Sequence, residues 1–225
     1  MFLHRIHLNP RSKEARRDLA NPYELHSTLC RAFSPADQKC PEGAFLWRLE
    51  PETSVEDFPK LLIQSSIVPD WHRIGLSDWL GKNPEPAVDL KARLKLEDIK
   101  TRKKFRFRLR ANPSVVREKK RQGLLQTIDQ EHWLVRKGLN HGFSLPYLSA
   151  FEFDDAPEKR PDVRISQEQM LRGRRHEGTP ISIFSVLFDG ILVVDDTEKF
   201  VQCLHTGIGH GKAMGLGLLS LAPIG

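Results

Sequence analysis

Apolar and polar residues alternate over short runs along this chain, and proline, glycine or asparagine closes most of the runs. Phe2 to Leu8 is the first strand-like run, and a polar loop is expected after it. Asn21-Pro22-Tyr23-Glu24 then reads as a helix start, because Asn supplies a cap, Pro fits the first helical position and Glu the third. The predicted helix runs to about Phe33, ahead of Pro35. Ala44 to Glu50 and Lys60 to Ser66 predict two strands, and the punctuated stretch from Pro69 to Pro86 has room for one short helix. Val88, Leu90, Ala92 and Leu94 alternate and predict a fourth strand. The order βαββ(α)β over roughly the first 98 residues is a ferredoxin-like pattern.

A similar order follows. Strands are predicted at Lys104 to Ala111, Phe143 to Phe151, Val163 to Leu171, Ile181 to Val194 and Leu216 to Leu221, with helices at Asp129 to Leu139 and Thr197 to Leu204. The expected fold is α+β, two ferredoxin-like (RRM-like) domains in tandem with antiparallel sheets, spanning 1–98 and 99–225 with a boundary near Glu97. The repeat is one of architecture, since the halves share no residue-level identity.

With 225 residues, 39% hydrophobic and 28% charged, the chain has the proportions of a soluble globular protein. No run approaches a membrane-spanning length. The start, Met1-Phe2-Leu3-His4-Arg5, is charged too early for a secretory segment, so a cytoplasmic location is expected. Cys30, Cys40 and Cys203 are odd in number and lack C-x-x-C spacing, which argues against a disulfide framework or a zinc ribbon.

Charge distribution says more than the net +6. Between Lys100 and Arg121 stand eleven basic residues and one acid, a window of +10 that leaves −4 on the rest of the chain. The run overlays a strand pattern in which Phe105, Phe107 and Leu109 alternate with Arg106, Arg108 and Arg110. A one-sided arginine face predicts a polyanionic partner, against the plainer reading of a solvated surface.

On the first helix, Tyr23, His26, Ser27, Cys30 and Arg31 fall within an arc of roughly 140° at about 100° per residue. A phenol, an imidazole and a guanidinium thus share one polar face, a set able to move protons and balance charge on phosphorus. Gly207, Gly209, Gly211, Gly215 and Gly217 match neither a nucleotide-triphosphate loop nor a dinucleotide fingerprint, and suggest close backbone approach to another chain or a nucleic-acid backbone. No histidine pair has metal-ligand spacing, so neither metal nor cofactor is expected. Arg172-Gly173-Arg174-Arg175 reads as part of a basic turn between two strands.

Three ordered motifs are similar to a known family. Arg17-Asp18-Leu19-Ala20-Asn21-Pro22-Tyr23-Glu24-Leu25-His26, then Phe107-Arg108-Leu109-Arg110-Ala111-Asn112-Pro113, then Gly207-Ile208-Gly209 through Lys212, Met214-Gly215 and Gly217 to Pro223 resemble the CasE family of CRISPR precursor-RNA endoribonucleases. The resemblance implies a tandem ferredoxin-like fold, membership of a type I-E Cascade complex, and metal-free cutting at the 3′ base of a repeat stem-loop. The implied products are a 2′,3′-cyclic phosphate and a 5′-hydroxyl, with the stem-loop retained. It assigns the catalytic role to His26 with Tyr23 beside it and Arg31 where some members carry lysine. Lys119, Lys120, Arg121, Arg172, Arg174 and Arg175 match RNA-holding regions, and Arg108, Arg110 and Lys212 are placed with them. The competing classes are a non-catalytic RNA-binding subunit and a structural subunit of a ribonucleoprotein.

Overall fold

The computed structural model describes residues 1–51, 58–148, 160–175 and 178–224. Its elements in chain order are β1 (Phe2–His7), α1 (Lys13–Ala20), α2 (Pro22–Phe33), β2 (Phe45–Leu49), β3 (Lys60–Ser65), β4 (Val88–Asp89), α3 (Leu90–Leu94), β5 (Lys104–Ala111), β6 (Ser114–Arg117), β7 (Lys120–Gly123), α4 (Thr127–Asn140), β8 (Phe143–Ser144), β9 (Val163–Arg174), β10 (Pro180–Val194), α5 (Thr197–Thr206) and β11 (Leu219–Pro223). Short 3-10 helices stand at Trp71–Ile74, Leu96–Asp98 and Lys212–Met214. None of the described helices is long and apolar enough to cross a membrane.

Two large antiparallel sheets result, ordered β2-β3-β1-β4 and β11-β5-β10-β8, with β9 also paired to β10, and β6 and β7 form a separate hairpin. In each sheet the first and third strands of the unit are central and the second and fourth lie outside, which is the ferredoxin order twice over. One core gathers Ile6, Leu25, Leu29, Phe33, Trp47, Leu61, Ile63 and Trp79, and the other Phe105, Phe107, Leu109, Trp133, Leu134, Phe188 and Phe200. Each such side chain contributes about 1.5–3 kcal/mol by leaving water.

Three expectations change. The polar stretch after β1 is a helix, α1, capped by Ser12; Ala15 and Leu19 meet the core beside Asp18, which is fully buried and accepts from the Trp79 indole at 2.9 Å, so a carboxylate breaks the short apolar stripe. The fourth strand ends after Val88–Asp89, because Asp89 caps α3 and turns Leu90 and Leu94 onto one helical face. Those two leucines, with Leu96 and Met1, enter the second core. The strand expected at Phe143 to Phe151 is two residues long, with Pro146 close behind, and its last part lies outside the described residues.

Arg48 locks the halves together. Its side chain, 1% exposed, donates to the carbonyls of Arg108 at 3.1 Å and Leu218 at 3.0 Å, to Ser220 Oγ at 2.9 Å and to Glu50 Oε1 at 2.7 Å. Gln64 adds a second link by donating to the Leu204 carbonyl.

Candidate nucleic-acid interface

α2 begins where the cap predicts. Asn21 is extended, with φ at −131°, and its side chain accepts from the Tyr23 N–H at 3.3 Å, with Pro22 in the first turn. The helix buries Leu25, Thr28, Leu29, Ala32 and Phe33, which leaves Tyr23, Ser27 and Arg31 outside the core and His26 and Cys30 at its edge.

His26 is half-buried. Its ring lies 5.0 Å from that of Phe45, Nε2 faces Cys30 Sγ at 3.8 Å, and Nδ1 is buried with no hydrogen-bond partner. Burial without a compensating acceptor lowers its pKa to about 4, so the imidazole is neutral at neutral pH and able to accept a proton. Burial also pushes the Cys30 thiol up to about 12, which keeps it protonated and inert. Tyr23 and His26, three residues apart, are neighbours on the helix surface. Arg31 is directed elsewhere: its Nη1 donates to the Ile74 carbonyl at 3.4 Å, tying it to the 3-10 helix Trp71–Ile74. Among the described residues no three His, Cys, Asp or Glu side chains converge as a metal centre requires.

Basic residues gather from three places. Lys119 and Lys120 stand at the turn of the β6–β7 hairpin, where Glu118 and Lys119 take the left-handed φ values of 50° and 61°. Arg121 follows on β7, exposed, with Nη1 donating to Ser114 Oγ at 3.2 Å. The β9–β10 hairpin presents Arg172, Arg174 and Arg175, all exposed and without an ion-pair partner among the described residues. Lys212 is exposed in the glycine-rich segment, whose 3-10 helix packs against α2. That segment makes its close approach to its own chain: Gly215 has φ at +76°, and a Cβ there would lie 2.8 Å from the Trp47 ring.

Lys137, His141 and His210 join this group, beyond the residues that the sequence assigns to RNA. The Lys137 ammonium sits 5.7 Å over the Trp133 ring, and the same ring lies against Gly209. Burial first, then the charges of Arg121, Lys137 and Lys212, lower the pKa of His210; burial, Lys137 and Lys212 do the same to His141. β7, α4 and the glycine-rich segment therefore share one region of positive potential. The i,i+4 spacing of Trp133 and Lys137 was the only local signal.

The arginines of β5 depart from the expected open face. Arg106 is exposed, but Arg108 Nε donates to Asp189 Oδ1 at 2.7 Å and its Nη1 to Glu50 Oε2 at 3.1 Å. Arg110 is buried and donates to Gln167 Oε1, with burial and the charge of Arg48 lowering its pKa. Arg108 is neutralised by Glu50 of the first half and Asp189 of its own, and Arg110 is covered by the chain. Arg108 thus bridges the halves through Glu50, Arg110 is held by Gln167 within its own half, and neither forms an open polyanion surface.

Two ferredoxin-like units with one basic face around a helix bearing a phenol and a neutral imidazole define a tandem ferredoxin-like protein. The family model described as "CRISPR associated protein" matches residues 1–223. The chain belongs to that family, in its CasE/Cse3 branch of type I-E. It is 39% identical over 233 residues to the CRISPR-associated endoribonuclease Cse3 of Thermus thermophilus, covering 99% of this chain and 100% of that protein. It is 29% identical to the CRISPR system Cascade subunit CasE of Escherichia coli K12, covering 92% of this chain and 94% of that one. A solved structure of Thermus thermophilus Cse3 bound to an RNA representing a pre-cleavage complex matches with a TM-score of 0.82 at 38% identity, covering 99% and 98% of the two chains.

Proposed function

We propose that this protein is an endoribonuclease that binds the stem-loop of a CRISPR repeat, cuts the precursor RNA at the 3′ base of the stem, and works in the cytoplasm beside the other subunits of a Cascade complex. The observation that carries the reading is the pairing of Tyr23 with a neutral His26 on the helix to which the basic β9–β10 hairpin is fastened. Likeness to Cse3 and CasE over nearly the whole chain supports it.

RNA brings its own nucleophile. The 2′-hydroxyl attacks the adjacent phosphorus, its proton leaves toward a base, and the 5′-oxygen departs and takes up a proton, giving a 2′,3′-cyclic phosphate and a 5′-hydroxyl. No water enters the balance, so no metal-activated water is needed. His26, uncharged at rest, is the group that carries the proton. Tyr23 holds the ribose or the imidazole, and Arg31 balances charge on phosphorus once it leaves the Ile74 carbonyl. Lys119, Lys120, Arg121, Arg172, Arg174, Arg175 and Lys212 grip phosphates, sequence choice follows from stem shape, and the cut stem-loop stays bound.

The test is a repeat hairpin in excess EDTA, supplied either all-ribose or with one 2′-deoxy nucleotide just 5′ of the cut. We expect the first to be cut and the second to bind and stay intact. Cutting of the deoxy substrate at the same bond, or a strict need for Mg²⁺, overturns the mechanism. Binding without cutting identifies a non-catalytic RNA-binding subunit.

A further inference from the structure

One side-chain amide joins two remote parts of the basic face. Asn21 Oδ1 accepts from the Tyr23 N–H at 3.3 Å, which caps α2, and it also accepts from the Arg174 N–H at 3.2 Å. Asn21 Nδ2 in turn donates to the Arg174 carbonyl at 3.2 Å. The amide thus pairs with Arg174 as a neighbouring strand would, across 153 residues of sequence. Gly173 leaves the room for it. A Cβ at Gly173 would lie 2.7 Å from Asn21 Oδ1 and 3.2 Å from Met214 Cε, so α2, the end of β9 and the glycine-rich segment meet at that point.

We propose that Asn21 is a positioning residue that sets the arginines of the β9–β10 hairpin in register with Tyr23 and His26. The inference rests on the cleavage function proposed above and adds to it a residue that acts on the rate without holding RNA itself. A phosphate gripped by Arg172, Arg174 or Arg175 is placed relative to His26 only as well as the hairpin is placed. Misplacement of the reacting atoms by about 1 Å costs up to about 100-fold in rate. Capping α2 needs only an oxygen, and Asp or Ser supplies one equally well. The amide nitrogen is what capping does not require, and Asp replaces it with an oxygen facing the Arg174 carbonyl.

The full chain is compared with its Asn21→Asp, Asn21→Ser and Gly173→Ala variants. Amide hydrogen exchange, measured without RNA, is expected to speed up at Arg174 in N21D while the Tyr23 amide stays protected and Tm is unchanged. Single-turnover cleavage of saturating repeat hairpin is expected to fall about 10- to 100-fold in N21D and in G173A, with Kd nearly unchanged. The double variant is expected to be no slower than the slower single one, because both changes break one contact. N21S, which keeps a cap but is too short to bridge, is expected to behave as N21D does. Unaltered exchange at Arg174 in N21S, which lacks both atoms that reach it, overturns the docking contact whatever the activity. Cleavage within about twofold of wild type in both N21D and G173A overturns the positioning role alone. A wild-type chain that binds the hairpin and never cuts it overturns the cleavage function and this role together.

Discussion

Arg48 on β2 donates to the carbonyl of Leu218 at 3.0 Å, although the two residues stand 170 positions apart. The guanidinium is 1% exposed, and every partner other than Glu50 belongs to the second half of the chain. A guanidinium held in this way resists hinge motion, because any opening of the halves breaks its hydrogen bonds to Arg108, Leu218 and Ser220 together.

Replacing Arg48 with Met is therefore expected to cost about 3–5 kcal/mol, since Glu50 and two carbonyls lose their donor. Urea titration of the variant reads this as a lower midpoint. A double variant, Arg48→Met with Glu50→Gln, is expected to recover part of the loss. A midpoint unchanged in R48M contradicts the lock.

His26→Ala is expected to lower the cleavage rate by about 10²–10⁴, the worth of a positioned proton carrier, and to leave hairpin affinity nearly unchanged. Single-turnover kinetics beside a binding isotherm decide the matter. A rate within a few-fold of wild type removes His26 from the chemistry.

The same residue predicts a pH effect on folding. Its pKa falls from 6.5 to about 4 in the folded chain through burial, so above pH 6.5 both states are neutral and stability does not depend on it. As pH drops from 6.5 toward 4 the unfolded chain takes up a proton that the folded one refuses, and stability declines, by an amount on the order of 3 kcal/mol for this group. His26→Gln is expected to lose less stability over that window than wild type, as measured by urea midpoints at pH 7 and pH 4.5. Equal losses in the two proteins exclude the effect.

Salt dependence separates the two kinds of arginine and lysine. Ala at Lys119, Lys120, Arg121, Arg174 or Lys137 is expected to weaken hairpin binding and to lower the slope of log affinity against log salt by about one per lost phosphate contact. Arg108→Ala is expected to lower Tm and leave that slope alone, because Asp189 and Glu50 occupy its charge. A slope reduced by Arg108→Ala and untouched by the others reverses the assignment.

Two glycines offer a controlled pair. Gly43 and Gly215 have φ at +72° and +76°, yet nothing lies within 4 Å of a Cβ at Gly43, whereas a Cβ at Gly215 meets Trp47 at 2.8 Å. Gly43→Ala is expected to cost about 1 kcal/mol of backbone strain and Gly215→Ala a further 1–3 kcal/mol of overlap, roughly. Thermal melts of both variants compare them; equal costs show that the Trp47 contact yields freely.

Local chemistry was legible wherever the interaction is local. The Asn21-Pro22 cap located α2, and alternation located β5 at Lys104–Ala111 with the bounds the structure has. Leu90 and Leu94 fit a strand and a helix alike, and only the Asp89 cap decides between them. The β6–β7 hairpin carries no turn signal, because Glu118 and Lys119 form its turn without Gly or Asn. The fates of Arg108 and Arg110 depend on Glu50, Asp189 and Gln167, more than 50 residues away, and no periodicity reports such partners. The polar face of α2 was readable as a set, but the turn of Arg31 toward Ile74 was not, since that carbonyl belongs to a 3-10 helix 43 positions later.

Gly215 rests on Trp47, a residue made 168 positions earlier. During synthesis the mould therefore leaves the ribosome long before the piece it shapes, and the segment that carries Lys212 and Gly215 is set in place only after both have emerged. A nascent or half-folded chain has the lysine but not the geometry. The part of the basic face that includes Lys212 is thus a late product of folding, displayed only by molecules whose two halves have already closed on each other.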